Sequence, residues 1–147
     1  MGALQAVGPF LGVEVSPVDA RDSGEIERAI GDLARAGNGG LIVPPTTQTT
    51  VRRDLIFTLA ARHRLPAVYG YRFFVVVGGL ISYGPDPAEP WRHAAAYVDR
   101  ILRGENPANL PVQAPTKYVL TVNLKTAQSL GLTIPPAILS TADEVMD

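Results

Sequence analysis

The sequence contains no cysteine and only two histidines. Disulfides, thiolate metal sites and thiol nucleophiles are therefore excluded, and two distant imidazoles among scattered carboxylates form no metal-ligand pattern. No apolar run approaches the roughly 20 residues needed to span a bilayer; the longest covers residues 73–81. Neither sign of charge dominates. Thirteen Lys and Arg stand against fourteen Asp and Glu, for a formal net charge of −1, with no segregated block. The basic face that nucleic acid requires is missing. Residues 1–12 lack a basic stretch and a cleavage site, so no secretory signal is read there, and the chain as written is expected in the cytoplasm. What is present is ordinary for a folded domain. The chain has 147 residues, 46% hydrophobic and 18% charged, enough to bury a core without covalent staples.

The pattern alternates short β-type runs with longer helical ones. Residues 12–18 alternate and are β-branched, which predicts a strand. Asp22 and Ser23 supply a cap for a helix whose stripe is Ile26, Ile30, Leu33 and Ala34, and Gly37-Asn38-Gly39-Gly40 ends it. Leu41-Ile42-Val43 is expected as a strand buried on both faces. A polar loop, 44–50, leads to a helix carrying Leu55, Ile56, Leu59 and Ala60 and closed by Arg62-His63-Arg64. A strand at 66–69, a short helix at 71–77 and a strand at 80–84 follow. Asp86-Pro87 opens a long helix with Trp91, Ala94, Ala95, Val98, Ile101 and Leu102 on one face, and Trp91 is expected in the core. These βα steps predict an α/β fold, an open doubly wound parallel sheet with helices on both faces.

After Gly104 the texture changes. Residues 105–117 read as an extended connection, 118–123 as a further strand, 126–130 as a short helix, and 134–146 as a segment ending helically. The expected division is a solute-binding lobe over 1–104, truncated at its N-terminus, and an extended connection, strand and C-terminal helices of the same lobe or hinge over 105–147. Residues before Gly12 read as the tail of a helix, in which Gly8-Pro9 is poor helix chemistry.

In an open parallel sheet, ligands sit beyond the carboxyl ends of the strands. That rule selects the loops at 44–50, 69–72 and 82–86. They offer Thr46, Thr47, Gln48, Thr49, Tyr69, Tyr71, Arg72, Ser82, Tyr83 and Asp86: hydroxyls, aromatic faces, an amide and one charge of each sign, as a small zwitterionic or aromatic solute requires. Asp86 reads equally as a helix cap. His63 reads as a solvated residue at a helix end, and His93 lies on the long helix; neither has a partner with triad logic, so no catalytic residue is assigned. The glycines at 37–40 precede a strand instead of joining a strand to a helix, so no phosphate loop and no cofactor is expected.

Several ordered runs then carry a resemblance: Gly39-Gly-Leu-Ile-Val-Pro-Pro45, Leu59-Ala-Ala-Arg-His-Arg-Leu-Pro-Ala-Val-Tyr69, Gly78-Gly-Leu-Ile-Ser-Tyr-Gly-Pro-Asp86, Ala96-Tyr-Val-Asp-Arg-Ile-Leu-Arg-Gly104, Leu110-Pro-Val-Gln-Ala-Pro-Thr-Lys117, Val122-Asn-Leu-Lys-Thr-Ala127 and Leu130-Gly-Leu-Thr-Ile-Pro-Pro136. Together they resemble the second lobe of ABC-transporter substrate-binding proteins of the type I periplasmic binding fold. The resemblance implies a non-enzymatic, periplasmic role: capture of a small solute such as an amino acid between two hinged lobes, then delivery to the membrane permease of an importer. It implies ligand contacts from Thr46, Thr47, Tyr69, Tyr71, Ser82, Tyr83 and Asp86. Thr46-Thr47 stands where many members carry an Asp or Asn, and Glu89-Pro90-Trp91 departs from the usual helix start. Members are longer, adding a first lobe and a secretion signal. The chain then reads as a fragment, a truncated paralogue without transport function, or a lobe completed by a homodimer. The rival class is a doubly wound enzyme or signalling domain; against a receiver-like domain, the loops after Val43 and Val68 lack acidic residues.

Overall fold

A computed structural model describes residues 2–147; Met1, with the part of the helix-tail and leader readings that falls on it, lies outside the described residues. The chain divides into two compact units. The first holds Gly39 and the described residues before it, together with Thr46–Leu65; the second holds Gly40–Pro45 and Pro66–Asp147. The expected boundary at 104/105 therefore does not coincide with the compact division. Residues 105–147 belong with the strands at 41–43, 67–69 and 81–85, because their own strands complete the same sheet.

The first unit begins with α1 (Gly2–Val7) and a 3₁₀ turn, Gly8–Leu11. Pro9 sits at the start of that turn, where its missing N–H costs nothing, so the poor helix chemistry ends α1 at Val7. The strand expected over 12–18 is absent: the segment is unpaired and mostly exposed. Alternation supplies the side-chain pattern of a strand but not a neighbour for its N–H and C=O groups, and Pro17 lacks a donor.

Helix α2 (Ser23–Ala36) starts where Asp22 Oδ1 accepts from the N–H groups of Gly24 at 2.8 Å and Glu25 at 3.4 Å, and ends at Gly37 with φ +74°. Residues 47–50, expected as part of a polar loop, instead begin helix α3 (Thr47–Val51), because Thr46 and Thr49 cap it reciprocally, and α4 (Arg53–Arg62) follows. Helix α2 buries Ile26 and Ile30, α4 buries Ile56, Leu59 and Ala60, and the two pack together as their stripes require. The Arg52 side chain donates to the Arg21 carbonyl and to Ser23 Oγ at 3.4 Å, fastening the entry of α2 to that of α4.

The second unit is built on five strands: β1 (Leu41–Val43), β2 (Ala67–Tyr69), β3 (Ile81–Pro85), β4 (Tyr118–Asn123) and β5 (Glu144–Met146). They lie in the order β1-β2-β3-β4-β5. Every pair is parallel except β3 with β4, so the sheet is mostly parallel, within the expected α/β class. Four helices complete the unit: α5 (Arg72–Val76), α6 (Glu89–Leu102), α7 (Leu124–Ser129) and α8 (Pro136–Thr141).

Register places Val43, Tyr69, Ser82, Thr121 and Glu144 side by side across the sheet, all pointing to one face. The first four are at most 6% exposed. Short helix α5 covers them: Phe74 stacks on Tyr69, Val75 is fully buried, and the Val75 carbonyl accepts from Asn123 Nδ2 at 3.3 Å. The opposite face is closed at Val122 but open at Ile42 (54% exposed) and Val68 (40%), so β1 is not buried on both faces as expected.

Two further expectations are corrected. The segment ending in Met146 finishes as β5, not as a helix: α8 stops at Thr141, and the Asp143 N–H donates to the Leu120 carbonyl at 2.9 Å to start the pairing. Trp91 is 77% exposed, not in the core. Its helix does carry the predicted apolar stripe, with Val98 55% and Leu102 81% exposed, but no other described element covers it.

Candidate functional site

The carboxyl ends of β1, β2 and β3 converge because two glycines allow it. The Gly70 N–H donates to the Val43 carbonyl at 3.1 Å, which draws the loop after β2 against the end of β1. A Cβ on Gly70 would fall 2.4 Å from Pro45 Cδ. One strand further, a Cβ on Gly84 would fall 2.0 Å from the Gly70 carbonyl oxygen. Gly70 thus packs on the Pro45 ring and Gly84 on the Gly70 backbone, a spacing that only glycine accepts. The residues flanking these glycines are thereby gathered at one edge of the sheet.

The structure gives the seven expected residues different surroundings. Thr46 lies in the first unit and forms a capping box with Thr49: its Oγ1 accepts from the Thr49 N–H at 3.2 Å, while its own N–H donates to Thr49 Oγ1 at 3.1 Å. Thr47 is exposed in the first turn of α3. The other five lie in the second unit. Tyr69 (2% exposed) and Ser82 (1%) form part of its buried row. Tyr71 is half-buried beside Phe73, their ring centroids 5.6 Å apart. Tyr83 is 58% exposed and stacks on Tyr118 at 5.5 Å. Asp86, at 9% exposed, accepts from the Ala88 N–H at 2.9 Å and pairs with Lys117 Nζ at 3.1 Å and Arg92 Nη1 at 3.6 Å. Its carboxyl is held below the ordinary carboxylate value, first by the Ala88 N–H and then by Lys117. Asp86 closes a turn onto Ala88 and does not cap α6, whose N-cap is Ala88 with no side-chain cap bond.

Sequence spacing had no means of showing three ties. Arg72, the one cation of the predicted loops, is held by Glu144 in a two-pronged pair joining α5 to β5. Glu89 reaches 27 and 28 residues along the chain to Thr116 and Lys117. Lys117, in turn, meets Asp86. Each joins residues far apart in sequence, and the mixed-charge composition offers many equivalent partners.

Burial pushes the Tyr69 phenol up to about 12 from 10.0. The folded state then retains a proton that the unfolded chain releases, so stability is full below pH 10 and is lost as pH rises towards 12. Urea titrations across that window are expected to show a loss of about 2–3 kcal/mol in the wild type that Tyr69→Phe removes. Equal losses in both would contradict this assignment.

His63 is exposed at the end of α4, and His93 is half-buried on α6. Among the described residues, no group of three or more potential ligands could hold a metal ion, and no helix is long and apolar enough to cross a membrane. An open groove of about 530 Å³ lies between α6 and residues 107–115, lined by Tyr97, Leu110, Pro111 and Val112 among others. It contains none of the seven expected residues, and the Tyr97 hydroxyl closes part of it by donating to the Pro111 carbonyl at 2.5 Å.

The fold has known counterparts. A family model described as ABC transporter substrate binding protein matches residues 2–146. A comparison with curated proteins finds no match. A conserved domain protein from Vibrio cholerae is 24% identical with a TM-score of 0.83, covering 99% of this chain and 49% of that one. An ABC domain in complex with L-Trp from Streptococcus pneumoniae is 23% identical with a TM-score of 0.83, covering 99% and 50%. The ligand-free, open structure of a substrate binding protein with adhesive properties from Clostridium difficile is 20% identical with a TM-score of 0.68, covering 99% and 48%. The chain spans about half the length of the structures it matches.

Proposed function

Because the chain belongs to the family of ABC transporter substrate-binding proteins, we propose that it binds a small amino-acid-like solute at the carboxyl edge of its sheet, for delivery to an importer's permease outside the cytoplasm. The observation that carries this reading is the glycine-packed convergence of Pro45, Gly70 and Gly84, which gathers the loops after β1, β2 and β3 in one place. Tyr71 and Tyr83 offer aromatic faces there, each already stacked on a neighbouring ring. Tyr69 and Ser82, both buried, lie in the row that α5 covers. Aromatic faces with a few fixed polar groups suit an aromatic amino acid, and one structural neighbour is a complex with L-Trp.

One lobe contributes part of the contacts of a two-lobed binding site, so its own affinity is weak. The neighbours are about twice as long, and we assign the uncovered stripe on α6 to packing against a further part of such a fold. The test is a thermal-shift screen of the chain against amino acids and small carboxylates at millimolar concentration. Stabilisation by aromatic amino acids, lost in Tyr71→Ala, is expected. No stabilisation by any solute, or turnover of an ester substrate, would overturn the reading.

A further inference from the structure

The chain leaves the sheet at the end of β3 and returns at the start of β4 after the 32 residues 86–117. At that neck the antiparallel ladder continues one step beyond Pro85 and Tyr118, the Asp86 N–H donating to the Lys117 carbonyl at 2.9 Å. Beyond it, residues 90–115 are exposed or half-exposed throughout. An excursion of this kind has little core of its own to fix its roots. Glu89 is the exception, 8% exposed in a helix whose other residues are not buried. Its Oε2 accepts from the N–H groups of Thr116 at 3.1 Å and Lys117 at 3.0 Å, and its Oε1 from the Thr116 hydroxyl at 2.5 Å. One carboxylate on the outgoing segment thus satisfies two consecutive backbone donors and a hydroxyl on the returning one.

The returning segment carries the partners of two edge residues. Lys117 pairs with Asp86, and Tyr118 stacks on Tyr83. We propose that Glu89 is a positioning residue for the solute site: by gripping residues 116 and 117 it holds Lys117 against Asp86 and Tyr118 against Tyr83. The site meant is the one proposed above, so the inference rests on that reading. Glu89 touches no solute; it acts through the two residues it places. A carboxylate suits the task because it offers acceptor sites on both oxygens, and hydrogen bonds to a charged acceptor are stronger than neutral ones. A glutamine at the same place offers one carbonyl oxygen and turns an amide NH₂ towards donors.

The test reads the neck directly and needs no solute, so it can fail while the solute-binding reading stands, and the reverse. Amide exchange at Thr116 and Lys117 and the titration of the Asp86 carboxyl are followed by NMR in the wild type, Glu89→Gln and Thr116→Val. The groups facing Asp86 are Lys117 and Arg92, and His93 lies near Glu89. In Glu89→Gln, exchange at 116 and 117 should quicken about tenfold or more, as expected for losing a charge-assisted bond. The Asp86 titration should move up towards the ordinary carboxylate value while protection in β1 and β2 is retained. Thr116→Val removes only the hydroxyl bond, should shift both readouts the same way by less, and carries the test should Glu89→Gln fail to fold. Unchanged exchange at 116 and 117, an unmoved Asp86 titration, or an equal loss of protection across the whole sheet would each overturn the proposal.

Discussion

Replacing Phe74 by alanine is expected to cost about 3–5 kcal/mol, the range for truncating a buried aromatic side chain. A domain of this size has only about 5–15 kcal/mol of stability in total, so the variant should sit close to its unfolding threshold. Phe74 is 4% exposed, and its ring lies 4.6 Å from Tyr69 and 4.3 Å from Phe73 between centroids. It stands on α5, a helix of five residues that could not persist by itself. The helix is held by what it covers, the buried row Tyr69, Ser82 and Thr121. Removing the ring opens a cavity over that row and detaches the cover. Tyr69 should then lose its raised titration, since water would reach the phenol. Urea unfolding measures the first effect and absorbance titration of tyrosinate the second. A loss below about 1 kcal/mol would mean that α5 repacks and that the row is not its footing.

The second large effect is expected from Gly84→Ala. The new methyl would lie 2.0 Å from the Gly70 carbonyl oxygen and 2.9 Å from its carbonyl carbon, both backbone atoms. Gly70 has little freedom to retreat, because its N–H is bonded to Val43 and Pro45 lies against it. Overpacking typically costs 1–3 kcal/mol and occasionally more; with backbone on both sides, about 3 kcal/mol or above is expected here. Any solute binding should be lost along with it. The same substitution elsewhere should act in reverse. Gly31 lies inside α2, where a Cβ would meet only the Arg35 guanidinium at 4.0 Å, so Gly31→Ala should stabilise by about 0.5–1 kcal/mol through helix propensity. Opposite signs in thermal melts of the two variants support the packed edge; equal signs would contradict it.

Local signals told much of the fold in advance. The Asp22 cap and the spacing of Ile26 and Ile30 define α2, the short apolar runs define β1 and β2, and Tyr118–Asn123 alternates as β4 does. These elements follow from interactions within a few residues. The misreadings come where a distant partner decides. Residues 12–18 alternate as a strand but pair with no described strand, while Glu144–Met146 is only three residues long yet pairs because β4 lies beside it. Trp91 and Leu102 share a stripe at helical spacing, yet periodicity shows which face is apolar and not whether anything covers it.

The candidate site divides along the same line. The rule that ligands gather at strand carboxyl ends selected these loops, and Gly70 and Gly84 were in view within them. That their backbones touch is a tertiary fact, as is the burial that hides Tyr69 and Ser82 and leaves Tyr83 open. Family resemblance supplied the proposed class of activity. It did not supply the ties of Arg72 to Glu144 or of Glu89 to Thr116, which depend on side chains 72 and 27 residues apart.

The central claim is that a small solute sits at the carboxyl edge of β1, β2 and β3. Its most direct test is an NMR titration of the isotope-labelled chain with an aromatic amino acid at millimolar concentration, recording which backbone amides move. Saturable shifts are predicted at Gly70, Tyr71, Tyr83 and Gly84, with little change along α6 and β5. Shifts confined to the groove between α6 and residues 107–115, or none at any concentration, would contradict the account.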